Sequence, residues 1–214
     1  MSELRGLLVD WGGVLTSGLT DALRLWADKD DLDYDAYYTA ITDWIAATPV
    51  EAELNPIHAL ERGLIAVPDF ERKLAAVLLR RDGRPVEAEG LIERMFAHFE
   101  HAPQMSALVR RARAKGLRTA LLSNSWGNTY PRDSWDGMFD TIVISGEVGL
   151  RKPEPEIYQL TAERLGLELA ECVFVDDMQP NVDGARKLGM TAILHTSYDE
   201  TRRELEALLG TDLT

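Results

Sequence analysis

Asp10 ends the apolar run Leu7-Leu8-Val9 and is followed at once by Trp11-Gly12-Gly13-Val14-Leu15-Thr16, so a carboxylate leaves a buried segment at a tight glycine turn. That is how a nucleophilic carboxylate is displayed. Other polar groups follow short apolar runs in the same manner. Ser123-Asn124 comes after Leu121-Leu122, Arg151-Lys152-Pro153 after the run ending at Ile144, and Asp176-Asp177 after Val175, with Asn181 just beyond. Together they fit chemistry on a phosphoryl group, because an attacking carboxylate must first have its repulsion neutralised by a cation and oriented donors. Asp10, Asp176 and Asp177 offer the hard oxygen ligands that suit Mg²⁺, and Gly12 adds its backbone carbonyl. Ser123 and Asn124 supply short donors for phosphoryl oxygens. Lys152 supplies a point charge that also holds the acidic cluster together.

Such residues meet only if a scaffold brings strand ends together, and open parallel sheets bind ligands at the carboxyl ends of their strands. The sequence predicts this scaffold. A short strand lies within residues 4–10, and further apolar runs occupy Leu117–Leu122, Thr141–Ile144, Cys172–Val175 and Thr191–Leu194. Helical patterns around 104–115, 154–165, 179–188 and 199–209 separate them, with Gly116, Gly166 and Gly189 as C-terminal signals. Continuous apolar strands alternating with amphipathic helices specify an α/β fold with a parallel sheet covered on both faces.

Residues 17–97 carry no strand pattern. Helical segments there are broken at Pro49, Pro56, Pro68 and the Asp82-Gly83-Arg84-Pro85 turn, so an all-helical insertion is expected between a core of residues 1–16 and 98–214. Tyr34, Tyr37, Tyr38, Ile41, Trp44 and Ile45 recur at helical spacing and are expected to form the insertion's packed face.

The chain has 214 residues, 45% hydrophobic and 28% charged, enough for one globular domain with a sizeable insertion. A net charge of −13 argues against a nucleic-acid partner, which would require clustered Lys and Arg. The single Cys172 excludes an intramolecular disulfide framework and fits a reducing compartment. With no apolar h-region and no run of membrane-spanning length, a cytoplasmic protein without membrane contact is expected, as a monomer or homodimer.

In order and across the whole core, Asp10, Ser123, Lys152 and the Asp176-Asp177 pair resemble the four motifs of the haloacid dehalogenase superfamily. The resemblance implies a Rossmann-like core, and the helical insertion looks like that superfamily's C1 cap, which closes over the site and selects substrates. The Asp-aromatic-Gly-Gly-Val-Leu start, the Ser123-Asn124-Ser125-Trp126 segment and Leu60-Glu61-Arg62-Gly63 look most like the group containing the N-terminal phosphatase domain of soluble epoxide hydrolase and related bacterial hydrolases. On this resemblance Asp10 would form an aspartyl-phosphate, and the Gly12 carbonyl and Asp177 would bind Mg²⁺. Asp176 would act through water or by holding Lys152. Ser123, Asn124 and Lys152 would grip the phosphate of a small phosphorylated substrate, and Asn181 would support the metal-side carboxylates. Trp126 would wall the pocket or cover the sheet edge.

Gly12 departs from the family pattern. Phosphatases carry at that place a second Asp that protonates the leaving oxygen and later activates water, a role worth about 10²–10⁴-fold. The expectation is therefore a Mg²⁺-dependent phosphatase handicapped on poor leaving groups. The alternative is a weakened phosphate-binding or regulatory protein. A phosphonatase, which needs an insertion lysine such as Lys29 or Lys73, and a metal-free dehalogenase, which does not need the Asp176-Asp177 pair, rank behind both. His98 and His101 are expected at a hinge or on the surface, His58 and His195 show no partner in sequence, and Cys172 is expected to be a small buried hydrophobe.

Overall fold

A computed structural model describes residues 3–45, 55–127 and 129–214; the break expected at Pro49 lies outside the described residues. From the start, the chain forms β1 (Gly6–Val9), then helices α1 (Leu19–Lys29), α2 (Tyr34–Ile45), α3 (Pro56–Glu61), α4 (Val67–Val77) and α5 (Leu91–Phe96). It continues through α6 (Pro103–Ala114), β2 (Arg118–Ser123), β3 (Thr141–Ile144), α7 (Ser145–Val148), α8 (Pro155–Leu165), β4 (Cys172–Asp176), α9 (Gln179–Lys187), β5 (Thr191–Leu194) and α10 (Tyr198–Leu209).

The strands form one parallel sheet in the order β3-β2-β1-β4-β5. Side chains alternate across it, as the two-residue repeat of a strand requires. Leu7, Val9, Leu121, Val173 and Val175 face a core completed by Met105, Leu108 and Val109 of α6 and Leu205 of α10. Leu8, Ala120, Leu122 and Phe174 face the opposite core, completed by Ile157, Tyr158 and Ala162 of α8 and Val182 and Ala185 of α9. Burial on both faces explains why these strands read as unbroken apolar runs.

Helices α1 to α5 enclose a separate apolar cluster around Trp26, Tyr37, Ile57, Phe70, Leu74, Leu91 and Met95. The α3 helix starts sharply because Pro56 follows Asn55, whose side chain accepts from Ile57 N at 2.9 Å and His58 N at 3.2 Å. The aromatic stripe of α2 is only partly used. Tyr37 and Ile41 are buried and Tyr34 and Trp44 half-buried, but Tyr38 and Ile45 are exposed, because the stripe is broader than the surface its neighbours cover. The chain leaves for these helices and returns from them side by side: Thr16 bridges His101, Ser17 N donates to Glu100 O at 2.6 Å, and Ala102 N donates to Leu15 O at 2.9 Å. Among the described residues no helix is long and apolar enough to cross a membrane.

Candidate active site

Strand register assembles the site. Val9 pairs with Leu121 on one side and Val175 on the other, so the next residue, Asp10, comes out beside Asp176 and one step short of Ser123. Asp10 N extends the ladder by donating to Val175 O at 2.9 Å. Lys152, in the segment between α7 and α8, is fully buried and points its Nζ between two strand ends, 2.8 Å from Asp10 Oδ1 and 2.6 Å from Asp176 Oδ2.

Asp176 is saturated: Oδ1 accepts from Met178 N at 2.8 Å and Asn181 Nδ2 at 3.0 Å, and Oδ2 accepts from Lys152 and from Asn181 Nδ2 at 3.1 Å. Asp177 has no ion-pair partner among the described residues. Asp10, Asp176 and Asp177 nevertheless converge, each offering an oxygen within 4.8 Å of the others. Like charges that close repel by roughly 3–4 kcal/mol per pair at an effective dielectric of about 20.

Were all three carboxylates ionised, the single ammonium of Lys152 would leave a surplus of two negative charges. The repulsion appears in the ionisation. Burial, reinforced by Asp176 and Asp177, holds the Asp10 carboxyl well above the ordinary carboxylate range although Lys152 opposes it. Burial first, then Asp176, pushes Asp177 up to about 6. Burial pulls Lys152 down, but Asp10 and Asp176 outweigh it and keep the ammonium above the usual lysine value. A hard dication is the group that this oxygen-rich acidic cluster fits.

The turn after Asp10 is shaped for that cluster. Gly13 has φ +71°, and a Cβ there would overlap the Asp177 carboxylate. Gly13→Ala is expected to displace Asp177 and to lower stability by at least the roughly 1–2 kcal/mol of a left-handed alanine, read as a fall in Tm; an unchanged Tm would mean that the turn does not constrain Asp177. Gly12 differs. Its φ is not positive, and a Cβ there would meet nothing within 4 Å.

Asn124 makes a contact that its sequence reading did not include. Its Oδ1 accepts from Lys152 N at 2.9 Å and its Nδ2 donates one N–H to Lys152 O at 3.1 Å, so the amide clamps the Lys152 backbone. The geometric reason is that the β2 end and the Lys152 segment run next to each other, and a side-chain amide matches a peptide group. Ser123 Oγ, buried, lies 3.0 Å from the Tyr130 hydroxyl. Sequence reasoning missed Tyr130, which packs edge-on against Trp11 at 5.0 Å and is kept a phenol by burial, pushed up to about 12.

Trp126 sits at the seam with the helical insertion. Its Nε1 donates to Glu61 Oε1 at 3.2 Å, and its ring meets Phe70 edge-on at 5.5 Å. Lys29 and Lys73 are exposed, and Lys152 is buried. His101 Nε2 lies 2.8 Å from Ser106 Oγ at the chain crossing, and His195 Nδ1 lies 2.8 Å from Thr201 Oγ1. Cys172 is buried, its thiol pushed up to about 12 by burial and then by Glu171. A cavity of about 550 Å³ opens beside Gly13 and Asp177, lined also by Thr16, Gln104 and His195; it does not reach Lys152.

Known proteins resemble this chain over part of its length. Mouse bifunctional epoxide hydrolase 2 is 34% identical over 125 residues, which are 55% of this chain and 22% of the mouse protein. Phosphoserine phosphatase of Thermus thermophilus is 32% identical over 137 residues, 60% of this chain and 55% of that enzyme. The chain thus spans about a fifth and about half of these relatives' lengths. A HAD family enzyme from Bacteroides thetaiotaomicron, solved with magnesium and inorganic phosphate, superposes with a TM-score of 0.64 at 20% identity, covering 90% of this chain and 94% of that one, which shows a shared fold. Residues 4–189 match the haloacid dehalogenase-like hydrolase family, a span that takes in Asp10, Ser123, Lys152, Asp176 and Asp177. An aspartate, a serine and an acidic pair at strand ends of one parallel sheet, with a buried lysine between them, lie within that match: the chain belongs to the haloacid dehalogenase-like hydrolases.

Proposed function

We propose that this hydrolase is a Mg²⁺-dependent phosphatase of small phosphorylated metabolites, acting through an aspartyl-phosphate on Asp10. The observation that carries the proposal is the buried Lys152 ammonium, bonded to Asp10 and Asp176, where the carboxylates of Asp10, Asp176 and Asp177 converge. Phosphatases among its relatives support the reading. Helices α1 to α5 serve as a cap, residues 17–97, over a core of residues 1–16 and 98–214. The proposed setting is cytoplasmic, as a monomer or homodimer without nucleic-acid or membrane partners.

Lys152 engages Asp10 Oδ1, which leaves Oδ2 to attack phosphorus. The new O–P bond forms as the ester P–O bond breaks, and the electron pair departs on the leaving oxygen. Water then cleaves the aspartyl-phosphate, releasing inorganic phosphate and restoring the carboxylate. Asp10, Asp177 and the Gly12 carbonyl would hold Mg²⁺, with Asp176 fixing Lys152, since its own oxygens are already occupied. When bound, Mg²⁺ supplies the positive charge that lets a carboxylate approach an anionic phosphate. Ser123 donates to the phosphate, and Asn124 holds Lys152 in register. No side chain at position 12 offers the leaving oxygen a proton. That gap favours a second reading, a slow phosphate-binding or regulatory protein.

A panel of phosphorylated metabolites and an aryl phosphate, assayed with and without Mg²⁺, tests the proposal. EDTA is expected to abolish turnover and Ca²⁺ to fail in restoring it, because Ca²⁺ takes longer bonds and more ligands than an octahedral Mg²⁺ site. Full activity in chelator would overturn the metal assignment and bring the dehalogenase reading forward.

Proton linkage provides a separate check. The raised Asp10 and Asp177 carboxyls bind protons more tightly folded than unfolded, so in metal-free protein their contribution to stability falls as pH rises from the ordinary carboxylate value through the raised ones. Protons and Mg²⁺ compete for these oxygens. The Tm increment produced by Mg²⁺ is therefore expected to grow between pH 5 and pH 7.5, and an increment independent of pH would remove these carboxylates from the metal site.

A further inference from the structure

Glu61 is the last residue of α3, yet its side chain is buried, 8% exposed, and faces Arg151, 13% exposed. Its two oxygens serve two different loops: Oε2 accepts from Arg151 Nε, and Oε1 accepts from Trp126 Nε1. These loops carry the groups at the phosphate end of the site. Trp126 lies on the loop of Ser123 and Asn124, and Arg151 immediately precedes Lys152. The Asn124 amide on the Lys152 peptide already ties one loop to the other.

The backbones are equally close along this seam. Gly63 has φ +70°, and a Cβ there would stand 2.6 Å from Gly146 O; a Cβ on Gly127, at φ +75°, would overlap Val67 of α4. Arg62 pairs with Glu154 beside the Glu61–Arg151 pair, so two cations face two anions. His58 adds no charge at neutral pH, since burial, then Arg151 and Arg62, hold it down to about 4. Burying a carboxylate costs several kcal/mol unless its partners are in place. Glu61 can therefore occupy the seam only when the guanidinium and the indole N–H are both in position.

We propose that Glu61 is a positioning residue through which the helical insertion sets the two loops that grip the substrate's phosphate, so that the grip is complete only while the insertion is docked. This deepens the phosphatase reading and rests on it for the identity of the ligand. The coupling of the loops to Glu61 does not depend on that reading. Undocking would take the Glu61 carboxylate from Arg151, leaving it Glu154 at 3.9 Å, and the Glu61 acceptor from Trp126 together, and Asn124 would transmit the loss of either loop's anchor to the other.

The test compares the wild-type chain with Glu61→Gln, which keeps the shape and one oxygen but turns an amide NH₂ or a neutral oxygen toward Arg151. Hydrogen exchange is read by mass spectrometry without ligand, over residues 123–127 and 150–154. Loss of a charge-assisted bond is expected to speed exchange in both loops together by about tenfold. Binding of inorganic phosphate in the presence of Mg²⁺ is expected to weaken by about tenfold, with Mg²⁺ affinity unchanged because Glu61 touches none of the clustered aspartates. In turnover the loss would fall on KM more than on kcat. Faster exchange confined to α3, with both loops unchanged, would overturn the proposal, as would an equal loss of Mg²⁺ affinity. If Glu61→Gln does not fold, Trp126→Phe removes the N–H and keeps a ring; faster exchange at 150–154 in that variant supports the coupling, and no change there rejects it. If wild-type protein hydrolyses no phosphate ester, the functional reading fails, while the ligand-free exchange experiment still decides the role of Glu61.

Discussion

Asp10→Asn is expected to lower turnover by on the order of 10⁴-fold or more, the scale on which removal of a nucleophile or its activating partner acts in enzymes that use covalent catalysis. The fold should survive. The carboxamide retains an oxygen for Lys152, and the backbone bond from residue 10 to Val175 is untouched. The substitution also removes one of the mutually repelling charges from a buried cluster, so metal-free Asp10→Asn should melt at or above the wild-type temperature. Activity and Tm thus move in opposite directions. Retained turnover would eliminate covalent catalysis by Asp10, and a large fall in Tm would mean that the aspartate is chiefly a counter-ion for Lys152.

Gly12→Asp is expected to raise turnover of alkyl phosphates by 10-fold or more while changing aryl phosphates little, a modest return on the roughly 10²–10⁴ that a well-placed general acid contributes. Backbone strain does not stand in the way: Gly12 lacks a positive φ, and its Cβ position is open, whereas the neighbouring Gly13 could not be exchanged so freely. In wild-type protein, rates should fall steeply as the leaving-group pKa rises; in the variant the slope should flatten. The variant must first be shown to bind Mg²⁺ like the parent. If wild-type protein already cleaves alkyl and aryl phosphates at similar chemical-step rates, an acid is present elsewhere. Tyr130, whose phenol lies against Ser123, would then be the first residue to replace with Phe.

The sequence alone disclosed those parts of the molecule that depend on local periodicity. The strands at Thr141–Ile144 and Thr191–Leu194 occur where their apolar runs placed them, and Asp10 and Asp176 come together because they end neighbouring strands of a parallel sheet. What stayed hidden, including the reach of Lys152 from beyond α7 to the strand ends, depends on pairing across long separations. No pattern reveals that the Asn124 amide clamps the Lys152 peptide, since its partner lies 28 residues away in sequence. Tyr130 and Glu61 gave no periodic signal either: one lies in a loop, and the other is a charged residue at a helix end, where exposure is the ordinary expectation. The short α7 helix, Ser145–Val148, is less than two turns and too brief to show a repeat. The exposed Tyr38 and Ile45 show the converse error, because an apolar stripe does not state how much of it the neighbouring helices will cover.

The central position of β1 has a kinetic consequence. Gly6 pairs with Arg118 on one side and Cys172 on the other, so β1 has neither hydrogen-bonding neighbour until more than a hundred further residues have followed it. During synthesis its apolar run waits with two open edges, a state prone to wrong association. Helices α1 to α5, which share their own apolar cluster, emerge next and need no strand to collapse. Their early folding would shorten the effective loop that joins β1 to β2 by bringing Thr16 close to His101 before β2 is made. Nucleation would thus pass from local helices to a remote strand pair, and folding should be slow for a chain this rich in helix, with destabilised insertion variants aggregating through β1 before the hydrolase is complete.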